Sequence, residues 1–179
     1  MINLRYRQAG TFSVEFALLG VVFAALLILT GDVIIKLSIQ GKLDRLSYSL
    51  VNVLKERTQL YGKNDNTLTT NDAKALYKVA KNSLERTTGN YSQANLSGTF
   101  EMLSFDLNGN SNTTTVKRGG GCTLTETIQG LQALSMMTSW GRRATLYRVT
   151  LCYETNNWAG ELFDTNFTTV QSSSVMMGR

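Results

Sequence analysis

Between Thr11 and Gly31 the chain carries a single ionisable side chain, Glu15. The run Phe16-Ala-Leu-Leu-Gly-Val-Val-Phe-Ala-Ala-Leu-Leu-Ile-Leu-Thr30-Gly31 is uncharged, Asp32 interrupts it, and Val33-Ile34-Ile35 resumes the apolar character. A helix of about 20 such residues rises about 30 Å, the thickness of a bilayer's hydrocarbon core. Arg5 and Arg7 precede Thr11, and residues 1–10 contain no acidic residue. The positive-inside tendency then places the short N-terminal tail in the cytoplasm and the remaining chain across the membrane. A secretory signal peptide explains the basic start and apolar middle, but Thr30-Gly31-Asp32-Val33 is a poor match to a small-residue cleavage site. A plain signal anchor explains everything except Glu15, a carboxylate that is costly just inside an apolar span.

Past the run, Ile39, Leu43, Leu46, Leu50, Val53 or Leu54, and Tyr61 recur at three- and four-residue steps, with charged residues largely between them. That is an amphipathic helix. The chain contains no proline, so nothing breaks this pattern from the apolar run, although Gly31 and Gly41 offer places to bend. One helix is expected over residues 11–61, about 75 Å if continuous. Its first half, 11–32, is apolar all round; its second, 33–61, offers one apolar stripe to a globular body. Gly62-Lys63-Asn64-Asp65-Asn66 supplies the stop, and residues 62–179 are read as that body, a head domain.

Within the head domain, Thr70-Asn71-Asp72 is a capping signal for a shorter helix to about Thr87, with Ala73, Leu76, Tyr77, Ala80 and Leu84 inward. Phe100 to Leu107 reads as a strand, Asn108 to Thr115 as a turn and mobile loop, and Lys117-Arg118-Gly119-Gly120-Gly121 as a flexible turn lacking the pattern of a phosphate loop. Leu124 to Met137 is ambiguous between helix and extended loop, with Met136, Met137 and Trp140 expected in core or at a buried edge. Ala144 to Glu154 is the clearest strand and Phe167 to Met176 a further one. The fold class is α+β, a long N-terminal helix on a small antiparallel sheet.

Chemistry is constrained by absences. With no histidine, imidazole catalysis and histidine metal sites are excluded, and two cysteines cannot make a four-thiolate centre. No catalytic, cofactor or metal residue is assigned. The formal charge of +5 comes from scattered Lys and Arg with no long basic run, so no nucleic-acid partner is expected. Cys122 and Cys152, both on the side of the membrane expected to be oxidising, read as a disulfide; a redox-active pair lacks the C-x-x-C spacing.

A third reading of the N-terminus accounts for Glu15. A basic leader ending in Gly10, followed by Thr11-Phe12-Ser13-Val14-Glu15-Phe16 and an apolar helix, resembles the prepilin signal of type IV pilins. The resemblance implies cleavage after Gly10 by a membrane aspartic peptidase, with Thr11 as the new N-terminus and Glu15 in fifth place. Glu followed by the aromatic Phe16 looks like the Tad/Flp branch. A chain longer than a major Flp pilin, with a cysteine-bearing, strand-rich C-terminal part, is similar to the TadE/TadF pseudopilins and most like TadF. A pilin-like fold follows, with residues 1–10 as a cytoplasmic leader and a periplasmic head. The expected partners are the prepilin peptidase, TadE-like and other minor pilin subunits, and an inner-membrane assembly platform, with no cofactor. Glu15 is then a register residue, its carboxylate pairing with the α-amine of a neighbouring subunit's Thr11. A single-pass anchored periplasmic binding or sensor domain, never processed, is the alternative, and a membrane-tethered enzyme the third.

Overall fold

The computed structural model describes residues 11–61, 67–106, 108–139, 141–158, 160 and 168–178, with residues 11 and 57–61 described as backbone. Among the described residues, helices α1 (Thr11–Tyr61) and α2 (Thr70–Thr87) accompany strands β1 (Leu96–Phe105), β2 (Ser111–Arg118), β3 (Leu146–Glu154) and β4 (Thr169–Met177). Short 3-10 turns occupy Gln93–Asn95 and Ile128–Leu134. The chain divides into two compact units, Met1–Leu37 with Asn156–Phe167, and Ser38–Thr155 with Thr168–Arg179.

The second unit is a helix-packed sheet. Its strands run in the order β2-β1-β3-β4, every neighbour antiparallel. Side chains alternate between the two faces of a strand. Phe100 and Met102 of β1, Tyr147, Val149, Leu151 and Tyr153 of β3, and Val170 of β4 share one face. There they form a core with Ile39, Leu43, Leu50, Val51 and Leu54 of α1 and Ala73, Leu76, Ala80 and Leu84 of α2. The apolar stripe read in residues 39–54 is therefore the packed one, with Leu43 and Val51 fully excluded from solvent. Ser47 lies within the stripe, and its hydroxyl meets Ser172 Oγ at 3.0 Å and Ser174 Oγ at 2.8 Å, so the helix–sheet contact encloses no unsatisfied hydroxyl there. Lys42 Nζ donates to Thr87 O at 2.7 Å, supplying a partner to a carbonyl at the end of α2.

The N-cap of α2 is Thr69, one residue before the expected Thr70. Thr69 Oγ1 accepts from Asp72 N at 3.3 Å while Thr69 N donates to Asp72 Oδ2 at 2.9 Å, a reciprocal capping box. Gly98 lets α2 approach the sheet. A Cβ there would lie 3.3 Å from Leu151 Cδ2 and 3.5 Å from Tyr77 Cδ2, and Tyr77 crosses it to donate its hydroxyl to Leu96 O at 2.7 Å.

Two expectations for the sheet are corrected. The first strand begins at Leu96 rather than Phe100; Leu107 lies outside the described residues. The supposed mobile loop Asn108–Thr115 is mostly strand, because Thr113, Thr114 and Thr115 pair with Leu103, Met102 and Glu101. Branched threonines suit an extended, half-exposed strand. The connection is tight for a stated reason: Asp106 Oδ1 accepts from Asn108 N at 2.9 Å and Asn110 N at 2.7 Å, Asp106 Oδ2 from Asn110 Nδ2 at 3.0 Å, and Gly109 takes φ 83°. Those amides hold the Asp106 carboxyl below the usual carboxylate range, the Asn110 side chain contributing most.

Candidate functional site

α1 begins at Thr11 and is helical through Tyr61, the bounds expected from its pattern. In its first part no side is polar. Phe12 (75% exposed), Val14 (68%), Leu18 (65%) and Leu27 (72%) point in different directions around a helix that turns about 100° per residue, and all are open. The helix is long and apolar enough to cross a membrane. Two of its polar groups, Thr30 and Asp32, find partners along the helix itself. Thr30 Oγ1 donates to Leu26 O at 2.9 Å and Leu27 O at 3.0 Å, and Asp32 Oδ2 pairs with Lys36 Nζ at 2.5 Å, one turn on. Glu15 differs: it is exposed and has no ion-pair partner among the described residues, and Phe16 beside it is 69% exposed. Gly10 lies outside the described residues, and Thr11 is placed as the first residue of the helix.

The two cysteines are brought together. Cys122 and Cys152 form a disulfide with Cα atoms 5.8 Å apart, tying the segment after the triple glycine to β3. Cys122 N donates to Thr99 Oγ1 at 3.0 Å and Gly120 N to Ser97 Oγ at 3.0 Å, so the same segment is laid along β1. Gly119 makes this possible with φ 65°; a Cβ at that position would stand 2.6 Å from Leu96 O. Further on, Ile128 is fully buried against Leu103 and Leu146, so the second sheet face is covered too.

That cover hides what sequence reasoning missed. Glu101 and Arg148 face each other across β1 and β3, with Arg148 Nε 2.5 Å from Glu101 Oε2 and both side chains almost wholly buried. The available signal was opposite charge at non-adjacent strand positions; nothing local shows that those positions are opposite or covered. Arg148 Nη2 is buried without a hydrogen-bond partner, so the pair is incompletely satisfied. Met136 (68% exposed) and Met137 (63%) are at the surface, contrary to the expectation of core; the irregular chain from Ile128 onward is anchored by Ile128 instead. Trp140 lies outside the described residues. The sequence of residues 124–137 resolves to a 3-10 turn over Ile128–Leu134.

Near the other end of the sheet, Tyr91 stacks on Tyr153 with ring centroids 6.0 Å apart, and Tyr153 Oη accepts from Ser92 N at 2.9 Å. Burial pushes the Tyr91 phenol up to about 12, with Tyr77, Tyr153 and Glu85 adding to the shift, and burial also raises Tyr77. Among the described residues no three potential metal ligands cluster.

A membrane-length helix bearing a carboxylate with no ion-pair partner among the described residues, whose amphipathic continuation packs on a small antiparallel sheet, has the build of a pilin-like protein. The chain belongs to the TadF family: the model for "Putative tight adherence pilin protein F" matches residues 3–179. No curated protein and no solved structure matches it significantly.

Proposed function

We propose that the chain is a minor pilin, or pseudopilin, of a Tad pilus assembly system. The N-terminus is inserted with its leader in the cytoplasm, cleaved after Gly10, and left with a free α-amine on Thr11. The observation that carries the reading is the contrast on α1. Asp32 is neutralised by Lys36 of its own helix, whereas Glu15 is exposed amid apolar side chains with no cation among the described residues. A lone carboxylate in an apolar span is expensive unless a partner is supplied from outside. The amine of a neighbouring subunit's Thr11 is such a partner, and one pairing per helix fixes how far adjacent helices slide past each other. The exposed apolar surface serves both stages, facing lipid before assembly and other pilin helices after it. The peptidase, TadE-like and other minor subunits and the inner-membrane platform are the partners of this cycle, and the function is structural.

Intact-mass measurement of membrane-extracted protein tests the processing step: a mature N-terminus at Thr11 is expected, and an intact Met1 or a cut after the apolar run overturns it. Glu15→Ala should leave cleavage unchanged and abolish co-purification with partner pilins. Unaltered pilus assembly in that variant removes Glu15 from its role.

A further inference from the structure

The compact unit containing the apolar helix has a second component, the β3–β4 connection from Asn156. Among the described residues of this unit only Asp32 and Gly160 are buried; every helix neighbour of Asp32 from Val33 to Ile35 is exposed. At that level the helix changes character, since Asp32 and Lys36 are the first ion pair after the uncharged run. The connection carries Trp158, 55% exposed although its ring is the largest apolar surface a side chain can offer, flanked by exposed Asn156 and half-buried Asn157.

An indole has an apolar body and one N–H donor, and is most at ease where hydrocarbon meets water. Lys36 has the complementary form, an aliphatic stem that lies along apolar surface and an ammonium that stays with the head groups. From Thr11 to Asp32 a helix rises about 30 Å, so if one end of the span is at one bilayer face, the Asp32–Lys36 pair is at the other. We propose that the β3–β4 connection is an interfacial anchor, with Trp158 seated at the boundary between head groups and acyl chains of a phospholipid bilayer, beside the exit of the helix. The exposed side chains of Ile28, Val33, Ile34 and Ile35 in the same unit make its apolar surface continuous with that of the span, so before assembly it meets the same lipid. The anchor sets the depth at which the helix leaves the membrane. The inference rests on the membrane-anchored reading of α1.

The test is depth-dependent fluorescence quenching of the full chain reconstituted into phosphatidylcholine vesicles. Trp140→Phe leaves Trp158 as the sole tryptophan; if that variant misfolds, the difference between the unmodified chain and Trp158→Phe isolates the same signal. Lipids brominated near the glycerol end of the acyl chains should quench Trp158 by about two-fold or more, and lipids brominated at the bilayer centre much less. Full access of Trp158 to aqueous iodide with no bromolipid quenching overturns the anchor, while co-flotation of the chain with the vesicles in the same samples keeps the helix reading intact. Shielding from iodide without bromolipid quenching also overturns it, in favour of a protein contact. A chain that does not float with vesicles overturns the anchored reading and this inference with it.

Discussion

The apolar first part of α1 and the sheet-bearing unit satisfy themselves in opposite ways. In the sheet unit Ile39, Leu43, Leu50 and Leu54 of the helix stripe are buried in a core made by the same chain, and its deepest described charges, Glu101 and Arg148, are paired across two strands. In the apolar part, Phe12, Phe16, Val21 and Leu27 are largely exposed, and Glu15 is unpaired among the described residues. One helix is thus a folded-core element along one stretch and an unfilled interface along another. On the proposed function stability belongs to the first stretch and assembly to the second, so substitutions in the two should separate cleanly.

The largest separation is expected between the two carboxylates. Glu101→Ala leaves the Arg148 guanidinium buried without a counter-charge and should cost about 3–5 kcal/mol in urea unfolding of the detergent-solubilised protein. Replacing the pair together, Glu101→Leu with Arg148→Met, should recover most of that loss, because Arg148 Nη2 already lacks a partner and the native pair carries an unmet desolvation cost. Glu15→Ala should not move the same unfolding curve. A Glu15→Ala variant destabilised as strongly as Glu101→Ala breaks the division, since it gives Glu15 a folding role.

Next come the leucines of α1. Leu43→Ala opens a cavity between helix and sheet and should cost about 2–5 kcal/mol. Leu27→Ala removes a side chain that is 72% exposed and should stay within about 0.5 kcal/mol in the same assay. Its effect is reserved for partner binding, read by co-purification with other pilin subunits. Equal losses at the two positions merge the two stretches into one core.

The same asymmetry explains what was legible in the sequence. The helix bounds, the apolar stripe of Ile39, Leu43 and Leu50 and the strand around Tyr147 to Tyr153 follow from local periodicity, which the chain displays without help from the rest of the fold. Glu15 stands out because an uncharged neighbourhood makes one charge visible. Thr113 to Thr115 misled because their neighbours Asn108, Gly109 and Asn110 are turn residues; the strand exists through pairing with Leu103 to Glu101, and pairing is not local. Arg148 and Thr150 alternate along β3 with Tyr147, Val149 and Leu151, yet both are buried, since a segment held by the disulfide and by Ile128 folds over that face. The contrast is between properties carried by a single stretch of chain and properties made by two stretches meeting.

The smallest expected effect probes the sheet unit's polar interior. Tyr91 Oη is buried without a hydrogen-bond partner, and its pKa is raised to about 12, chiefly by burial. The folded state therefore prefers the neutral phenol more strongly than the unfolded chain does, whose tyrosines titrate near 10. This preference is fully available below about pH 10 and is lost as pH rises toward 12, so stability should fall across that window. Tyr91→Phe keeps the ring stacked on Tyr153 and removes the orphan hydroxyl, and should stabilise by up to about 1 kcal/mol at neutral pH. It should also flatten the alkaline decline, leaving a shallower slope to which Tyr77, raised in the same direction, contributes. An alkaline profile unchanged by Tyr91→Phe transfers that dependence to other groups, and a large loss of stability at neutral pH shows that the hydroxyl has a partner in solution.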